Sequence, residues 1–462
     1  MGRMCVAARM ASAGLGLVAV LAAGQETATM ASSWRAGLGR AVITPATGVW
    51  LAGYGSRRAP EGTLHELWAK ALALEDAAGR RAVLVTTDHM GVPKGLYEDL
   101  CRKAKERFGL ERSQLMVTFS HNHCGPCLRG DLVDYYPSDD EQRRLVAEYT
   151  DRNEAQLLDC MAAALADLAP ARLAQGEGTA TFAVNRRNNP EAEVPALRAA
   201  GTPLKGPVDH SVPILAVYRG DERLDAVLFG YACHPTTLSF TQWCGDYPGF
   251  AQLALEKAHP GLTAMFVNTC GGDQNPLPRR SVELCASYGA MLAQGVEAAL
   301  RQPLRPVSGK LKTAFEFADL AYDKVVTREE LQLLSQGTNA IQVRWAKRLL
   351  GELDRGAVFA SSYPYPVQAW GLGNDLLLIG IGGEAVADYA LRFKREFGPG
   401  TWVCGYANDL VAYIPSRRVW EEGGYEGGPH LDEYGRPALR WAGDVESRVA
   451  AAVHRAVTAV RP

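Results

Sequence analysis

Leu115-Met116-Val117-Thr118-Phe119 runs directly into Ser120-His121-Asn122-His123-Cys124-Gly125-Pro126-Cys127. The first five residues have the length and partly β-branched, apolar composition of a buried strand, and the next eight are polar or metal-capable. The same juxtaposition recurs along the chain. Ala82–Thr87 leads to Asp88-His89, and Ala226–Tyr231 leads to His234. Ala264–Val267 opens into Asn268-Thr269-Cys270-Gly271-Gly272-Asp273, and Leu376–Ile381 into Gly382-Gly383-Glu384. Trp402–Gly405 reaches Tyr406 through Tyr413. Helical periodicity over 94–107, 140–167, 248–258, 281–301, 328–354, 384–396 and 444–459 separates these segments. Strands alternating with helices predict an α/β fold with largely buried strands, built as a single large multilayer domain. Polar residues at the C-terminal ends of strands stand where α/β proteins place their sites.

The chain has 462 residues, 47% hydrophobic and 22% charged, with a formal charge of −2. That is globular composition, and it gives no electrostatic case for nucleic acid or an anionic membrane. Arg3 and Arg9 precede an apolar run from Ala11 to Ala23, and Ala22-Ala23-Gly24 has the small residues of a cleavage site. Residues 1–24 are therefore expected to be a signal peptide, the protein exported to the periplasm or secreted, and 35–462 the one folded domain. The apolar run is too short to span a bilayer comfortably, and no second stretch is long and uncharged enough. The ten cysteines do not form the framework of a small disulfide-rich domain, and Cys101, Cys160 and Cys285 read as buried hydrophobes.

His121 and His123 are two apart; in a loop they can splay, one toward a metal and one toward substrate. One of them with His234 and Glu384 supplies two histidines and a carboxylate with a position left open, the pattern of a catalytic rather than a structural zinc site. Taken alone, the spacing is equally consistent with separately hydrogen-bonded core residues.

Longer motifs carry a resemblance. Gly39-Arg40-Ala41-Val42-Ile43-Thr44-Pro45, then Gly53-Tyr54, His65 and Ala69-Lys70-Ala71, resemble the opening of the neutral/alkaline ceramidases. Ser120 to Pro126 is similar to that family's first histidine signature, Cys233-His234-Pro235-Thr236 to its second, and Gly382-Gly383-Glu384 to its glutamate motif. Tyr406 to Ile414, followed by Gly424-Tyr425-Glu426-Gly427, is similar to its tyrosine-bearing segment. The resemblance implies Zn2+ held by His121, His234, Glu384 and Tyr413, and hydrolysis of a linear N-acyl amide, possible sphingolipids included. Zinc would bring the pKa of its water toward ~7 and polarise the carbonyl. His123, Tyr425 and Arg186 would donate to the oxyanion or the leaving group.

Two departures qualify the expectation. Asn275 stands where the family carries a serine, and a carboxamide cannot replace a hydroxyl as nucleophile. Asp273 beside it is expected to act as base or orienter, or else to cap a turn. Nothing after Gly428 reads as alternating strands, so the C-terminal β-sandwich of the ceramidases is not expected. Together with a polar loop at Arg186, Arg187, Asn188 and Asn189, this directs the expectation toward a polar N-acyl substrate rather than ceramide. A metal-dependent esterase or lactonase on the same site is one alternative, and a catalytically degenerate binding protein is another. Cys124-Gly125-Pro126-Cys127 also fits a thiol–disulfide site, a structural disulfide, or a cysteine lining the zinc pocket.

Overall fold

Two sheets stacked face to face, each covered on its outer side by helices, make up the chain from Ser32 onward. The computed structural model describes residues 1–2, 34–46, 48–220 and 222–461. The expected signal peptide lies outside the described residues. The larger sheet has nine strands, in the order Thr263–Asn268, Arg223–Tyr231, Ser211–Arg219, Ala169–Thr179, Trp34–Val42, Trp68–Asp76, Arg81–Thr87 and Leu115–Phe119, with Arg305–Val307 paired to Ala169–Thr179. The smaller sheet runs Leu311–Ala321, Ser362–Leu372, Leu376–Ile381, Thr401–Cys404.

Alternation along the strands explains the layers. In Arg81–Thr87, Ala82 and Leu84 face the smaller sheet and pack with Trp370, Leu376 and Trp402. Val83 and Val85 face the other way, into a core shared with the helices Lys94–Phe108, Asp140–Ala166, Asp246–Ala258 and Val282–Leu300. A strand buried on both faces has apolar residues throughout, which is why these segments read as continuous runs. The outer face of the smaller sheet packs on the helices Ala387–Phe397 and Val445–Val460. Gly39 lets helix Asp140–Ala166 lie against Trp34–Val42, since a Cβ there would stand 2.1 Å from the Cys160 carbonyl oxygen.

The six strands expected from sequence are all present, each within a few residues of its expected bounds. They form three parallel pairs: Arg81–Thr87 with Leu115–Phe119, Arg223–Tyr231 with Thr263–Asn268, and Leu376–Ile381 with Thr401–Cys404. The architecture is nonetheless mixed. Trp34–Val42, Trp68–Asp76, Ala169–Thr179, Ser211–Arg219, Leu311–Ala321 and Ser362–Leu372 pair antiparallel and were not expected. Interleaved Gly, Arg, Lys or Glu residues blur the apolar signal in four of them, and prolines interrupt it in Ser211–Arg219 and Ser362–Leu372.

Two expected helices need correction. Residues 328–354 form two helices, Arg328–Leu334 and Ala340–Asp354. Gly337 lies in the break, and Asn339 caps the second helix by accepting from the Ile341 and Gln342 amides. Residues 384–396 do not begin as a helix either. Glu384–Ala385 is a short strand parallel to Tyr413–Ile414, and the helix starts at Ala387. Among the described residues after Gly428, the only helix is Val445–Val460, and none of the named strands lies there. No described helix is long and apolar enough to cross a membrane.

Candidate metal centre

The parallel pairs at the two edges of the larger sheet approach each other where their strands end: Asn268 Nδ2 donates to the Ser120 carbonyl (3.0 Å). This brings the loop carrying His121 and the loop carrying His234 together. The smaller sheet closes the third side. The Asn408 amide donates to the Val117 carbonyl (2.6 Å), and the Phe119 amide to the Tyr406 carbonyl (3.1 Å). His121, Tyr406 and Asn408 all have left-handed backbone, with φ of 64°, 52° and 66°. Such conformations cost about 1–3 kcal/mol each in non-glycine residues and cluster at functional sites.

His121, His234 and Glu384 converge with all their donor atoms within 4.8 Å of one another. Glu384 Oε2 lies 3.1 Å from His121 Nε2 and 2.9 Å from His234 Nε2. His121 Nδ1 donates to the Met90 carbonyl (2.6 Å), and His234 Nδ1 to the Gly271 carbonyl (2.7 Å). A carbonyl can only accept, so each Nδ1 carries the proton and each Nε2 turns a lone pair toward the centre. This is the tautomer and orientation that metal-ligating histidines adopt. Burial raises the Glu384 carboxyl, and a second proton on either imidazole, His121 first, holds it well below the usual carboxylate range. Burial, reinforced by the charge of Arg186, pushes His234 down to about 4, so it is neutral. The donor set fits a divalent cation of the zinc type.

The other expected site residues fall into place around this triad or away from it. Tyr413 Oη is 3.3 Å from His234 Nε2 and accepts from Arg186 Nη2 (3.0 Å). Arg186 also donates through Nε to Glu426 (2.7 Å) and through Nη1 to the Asn275 carboxamide oxygen (3.3 Å). His123 Nε2 lies 3.3 Å from His121 Nε2, and its buried Nδ1 has no hydrogen-bond partner. Burial and the neighbouring histidines hold His123 far below the ordinary imidazole value. Gly53 lies against His123 with φ +96°, and a Cβ there would be 2.3 Å from the ring. Tyr425 is 48% exposed and donates to Glu433 (3.0 Å), with its ring 5.1 Å from that of Tyr413, so it stands at the rim.

Asp273 is not at the centre. Its Oδ1 accepts from the Ala387 amide (2.8 Å) and its Oδ2 from Asn185 Nδ2 (3.1 Å), so it anchors the first turn of a helix. Cys124 and Cys127 are free, buried thiols. Burial pushes Cys124 up to about 12, away from the thiolate that disulfide exchange requires. His65 packs on Cys244 (Nε2 to Sγ 3.2 Å), and His89 is a core residue beside Tyr149.

Tyr434 and His430 escaped sequence analysis, and Tyr406 and Glu426 were read only as parts of a motif. Tyr434 donates to Glu384 Oε1. The Tyr406 ring lies 4.7 Å from His121, His430 lies 5.7 Å from Tyr413, and Glu426 pairs with both Arg186 and Arg187. The first three share no spacing with the histidine motifs, although His430 is one of only nine histidines in the chain.

Tyr434 also borders a second cavity of about 300 Å³ lined in part by Asp131 and Asp409. Neither carboxylate oxygen of Asp131 is bonded. Burial, and secondarily the charge of Glu384, push its carboxyl from 3.8 up to about 8. A carboxyl raised on folding binds a proton that the unfolded chain releases, so this group costs stability as pH rises from about 4 to about 8. Asp131→Asn is therefore expected to raise the melting temperature strongly at pH 8 and little near pH 4. An equal effect at both would show that the carboxyl is not raised.

The mixed two-sheet α/β fold thus brings His121, His234 and Glu384 together at its strand ends as a group that could hold a metal ion. The profile for the N-terminal part of the neutral/alkaline non-lysosomal ceramidases matches residues 34–277, and the chain belongs to that family. No curated protein sequence matches it significantly. Among solved structures it is similar to a ceramidase complexed with C2, with TM-score 0.69 and 18% identity over 92% of this chain and 75% of that one. It is also similar to the neutral ceramidase from Pseudomonas aeruginosa, with TM-score 0.68 and 20% identity over the same shares. These likenesses establish the fold.

Proposed function

We propose that the protein is an exported zinc-dependent amidohydrolase that cleaves a linear N-acyl bond in a polar substrate. The observation that carries this reading is the convergence of two Nε2 lone pairs and Glu384 Oε2, each imidazole fixed by a carbonyl behind it. His121, His234 and Glu384 would hold the ion, with the Tyr413 hydroxyl as fourth contact. When bound, zinc supplies Lewis acidity to the scissile carbonyl and makes water a nucleophile near neutral pH.

The protein's own groups do the rest. His123, neutral and facing the centre through Nε2, donates to the oxygen that gains charge or to the departing amine. Arg186 holds the Tyr413 hydroxyl in place and neutralises Glu426. Asn275 accepts from Arg186, a role that needs no hydroxyl, so the family serine is dispensable where water is the nucleophile.

The adjoining cavity indicates the substrate. It holds about 500 Å³ and is lined by Arg186, Arg187, Asn189, Glu191, Asn275 and Arg279, among others. Arg279 is paired with Glu191 (2.8 Å) and Arg187 with Glu426 (2.5 Å). A long alkyl chain laid on ion pairs would displace their water without replacing its hydrogen bonds, whereas hydroxyl and amide groups would replace them. Zinc-loaded protein is expected to hydrolyse N-acyl amino acids or N-acyl amino sugars faster than long-chain ceramide, and to stop with chelator. Faster turnover of ceramide would overturn the polar-substrate reading. Turnover confined to esters would overturn the amidase reading.

A further inference from the structure

We propose that Tyr434 is a positioning residue that makes Glu384 a one-oxygen ligand. This rests on the metal-centre reading above and adds to it the control of the carboxylate. A glutamate can approach a cation with one oxygen or with both, and its environment decides which. Here the two oxygens have separate partners. Oε2 faces both imidazole Nε2 atoms, at 2.9 and 3.1 Å, whereas Oε1 accepts the Tyr434 hydroxyl. Turning the carboxylate to offer both oxygens would break that hydrogen bond.

The main chain of Glu384 leaves little alternative orientation, since its amide donates to the Ala412 carbonyl (2.9 Å) within the short strand pair. Tyr434 is held with comparable firmness. The Gly435 amide donates to the Asp432 carbonyl (3.0 Å), and Gly435 has φ +71° at this turn. Arg348 Nη2 donates to the Gly435 carbonyl (3.0 Å), and Trp345 Nε1 to the Arg436 carbonyl (2.8 Å). Arg348 is in turn fixed by Asp134, which accepts from Nη2 at 2.7 Å. Trp345 and Arg348 belong to helix Ala340–Asp354, whose buried side chains form a small core of their own with Val326 and Leu331. That helix is remote from the strand ends in sequence, and this gives it a function: it braces the turn that presents Tyr434 to Glu384.

Competition with a chromophoric chelator gives the zinc affinity of wild type, Tyr434→Phe and a control, Tyr389→Phe. The control removes a buried hydroxyl that donates to the Pro415 carbonyl, away from the centre. Tyr434→Phe is expected to bind zinc about 10- to 100-fold more weakly, the usual cost of removing such an outer partner, and the control to match wild type. Equal affinity in Tyr434→Phe would overturn the proposal, whereas wild type without zinc would overturn the metal centre itself. Cobalt substitution keeps the test decisive if the variant is less stable. Freeing Oε1 raises the coordination number and weakens the visible absorption, and an unaltered cobalt spectrum would overturn the proposal.

Discussion

Replacing His121 and His234 together with alanine is expected to lower amide turnover by at least about 10³-fold, because the several kcal/mol that a bound cation contributes to the transition state is lost. The fold should survive. Both imidazoles are buried but sit in loops after strand ends, outside the strands and helices that carry the apolar cores. Glu384 keeps its hydrogen bond from the Tyr434 hydroxyl in the double variant. The decisive comparison is turnover against melting temperature. Activity lost with the transition retained supports a metal centre, and activity retained contradicts it.

Arg186→Lys should be nearly as damaging as Arg186→Met. The guanidinium reaches three acceptors in three directions: Glu426 through Nε, Asn275 through Nη1 and Tyr413 through Nη2. A single ammonium cannot reproduce that fork. Methionine leaves Glu426, only 3% exposed at its side chain, with Arg187 as its one remaining cation, and lysine offers it a point charge without the fork. Loss of one of the two cations on this buried carboxylate is expected to lower stability, by less than full unpairing would because Arg187 remains. Turnover should fall about 10²-fold as the Tyr413 hydroxyl loses its donor, in line with removal of one electrostatic group from a site. Zinc content is expected to stay unchanged, which separates this effect from loss of the ion. Denaturant unfolding, metal analysis and kcat/KM on the same preparations test all three parts. A lysine variant with wild-type values would show that the fork is unnecessary.

What could be read from sequence depended on how each residue is held. The strands buried on both faces announced themselves, because sandwiching between helices and a second sheet demands unbroken apolar runs such as Leu376–Ile381. The antiparallel strands did not. Trp34–Val42 carries two arginines and two glycines, admitted at a sheet interior because a helix backbone lies directly over Gly39 and Arg35 reaches out to Glu75. At the site, His121, His234 and Glu384 stood out because each follows a strand end directly, and the family resemblance of their motifs made them candidate ligands. Asp273 misled for the same reason: it too follows a strand, yet its carboxylate turns to the Ala387 amide. Tyr434 was hidden because it reaches Glu384 from a turn positioned by a distant helix, and sequence spacing carries no trace of such a contact.

Metal analysis of the purified wild-type protein and of the His121→Ala/His234→Ala double variant tests the proposed centre most directly. The expected result is about one zinc per wild-type chain, as a single three-ligand catalytic site requires, and none in the double variant. Wild-type protein free of zinc after preparation in its presence, or a double variant that retains it, would contradict a metal centre at His121, His234 and Glu384.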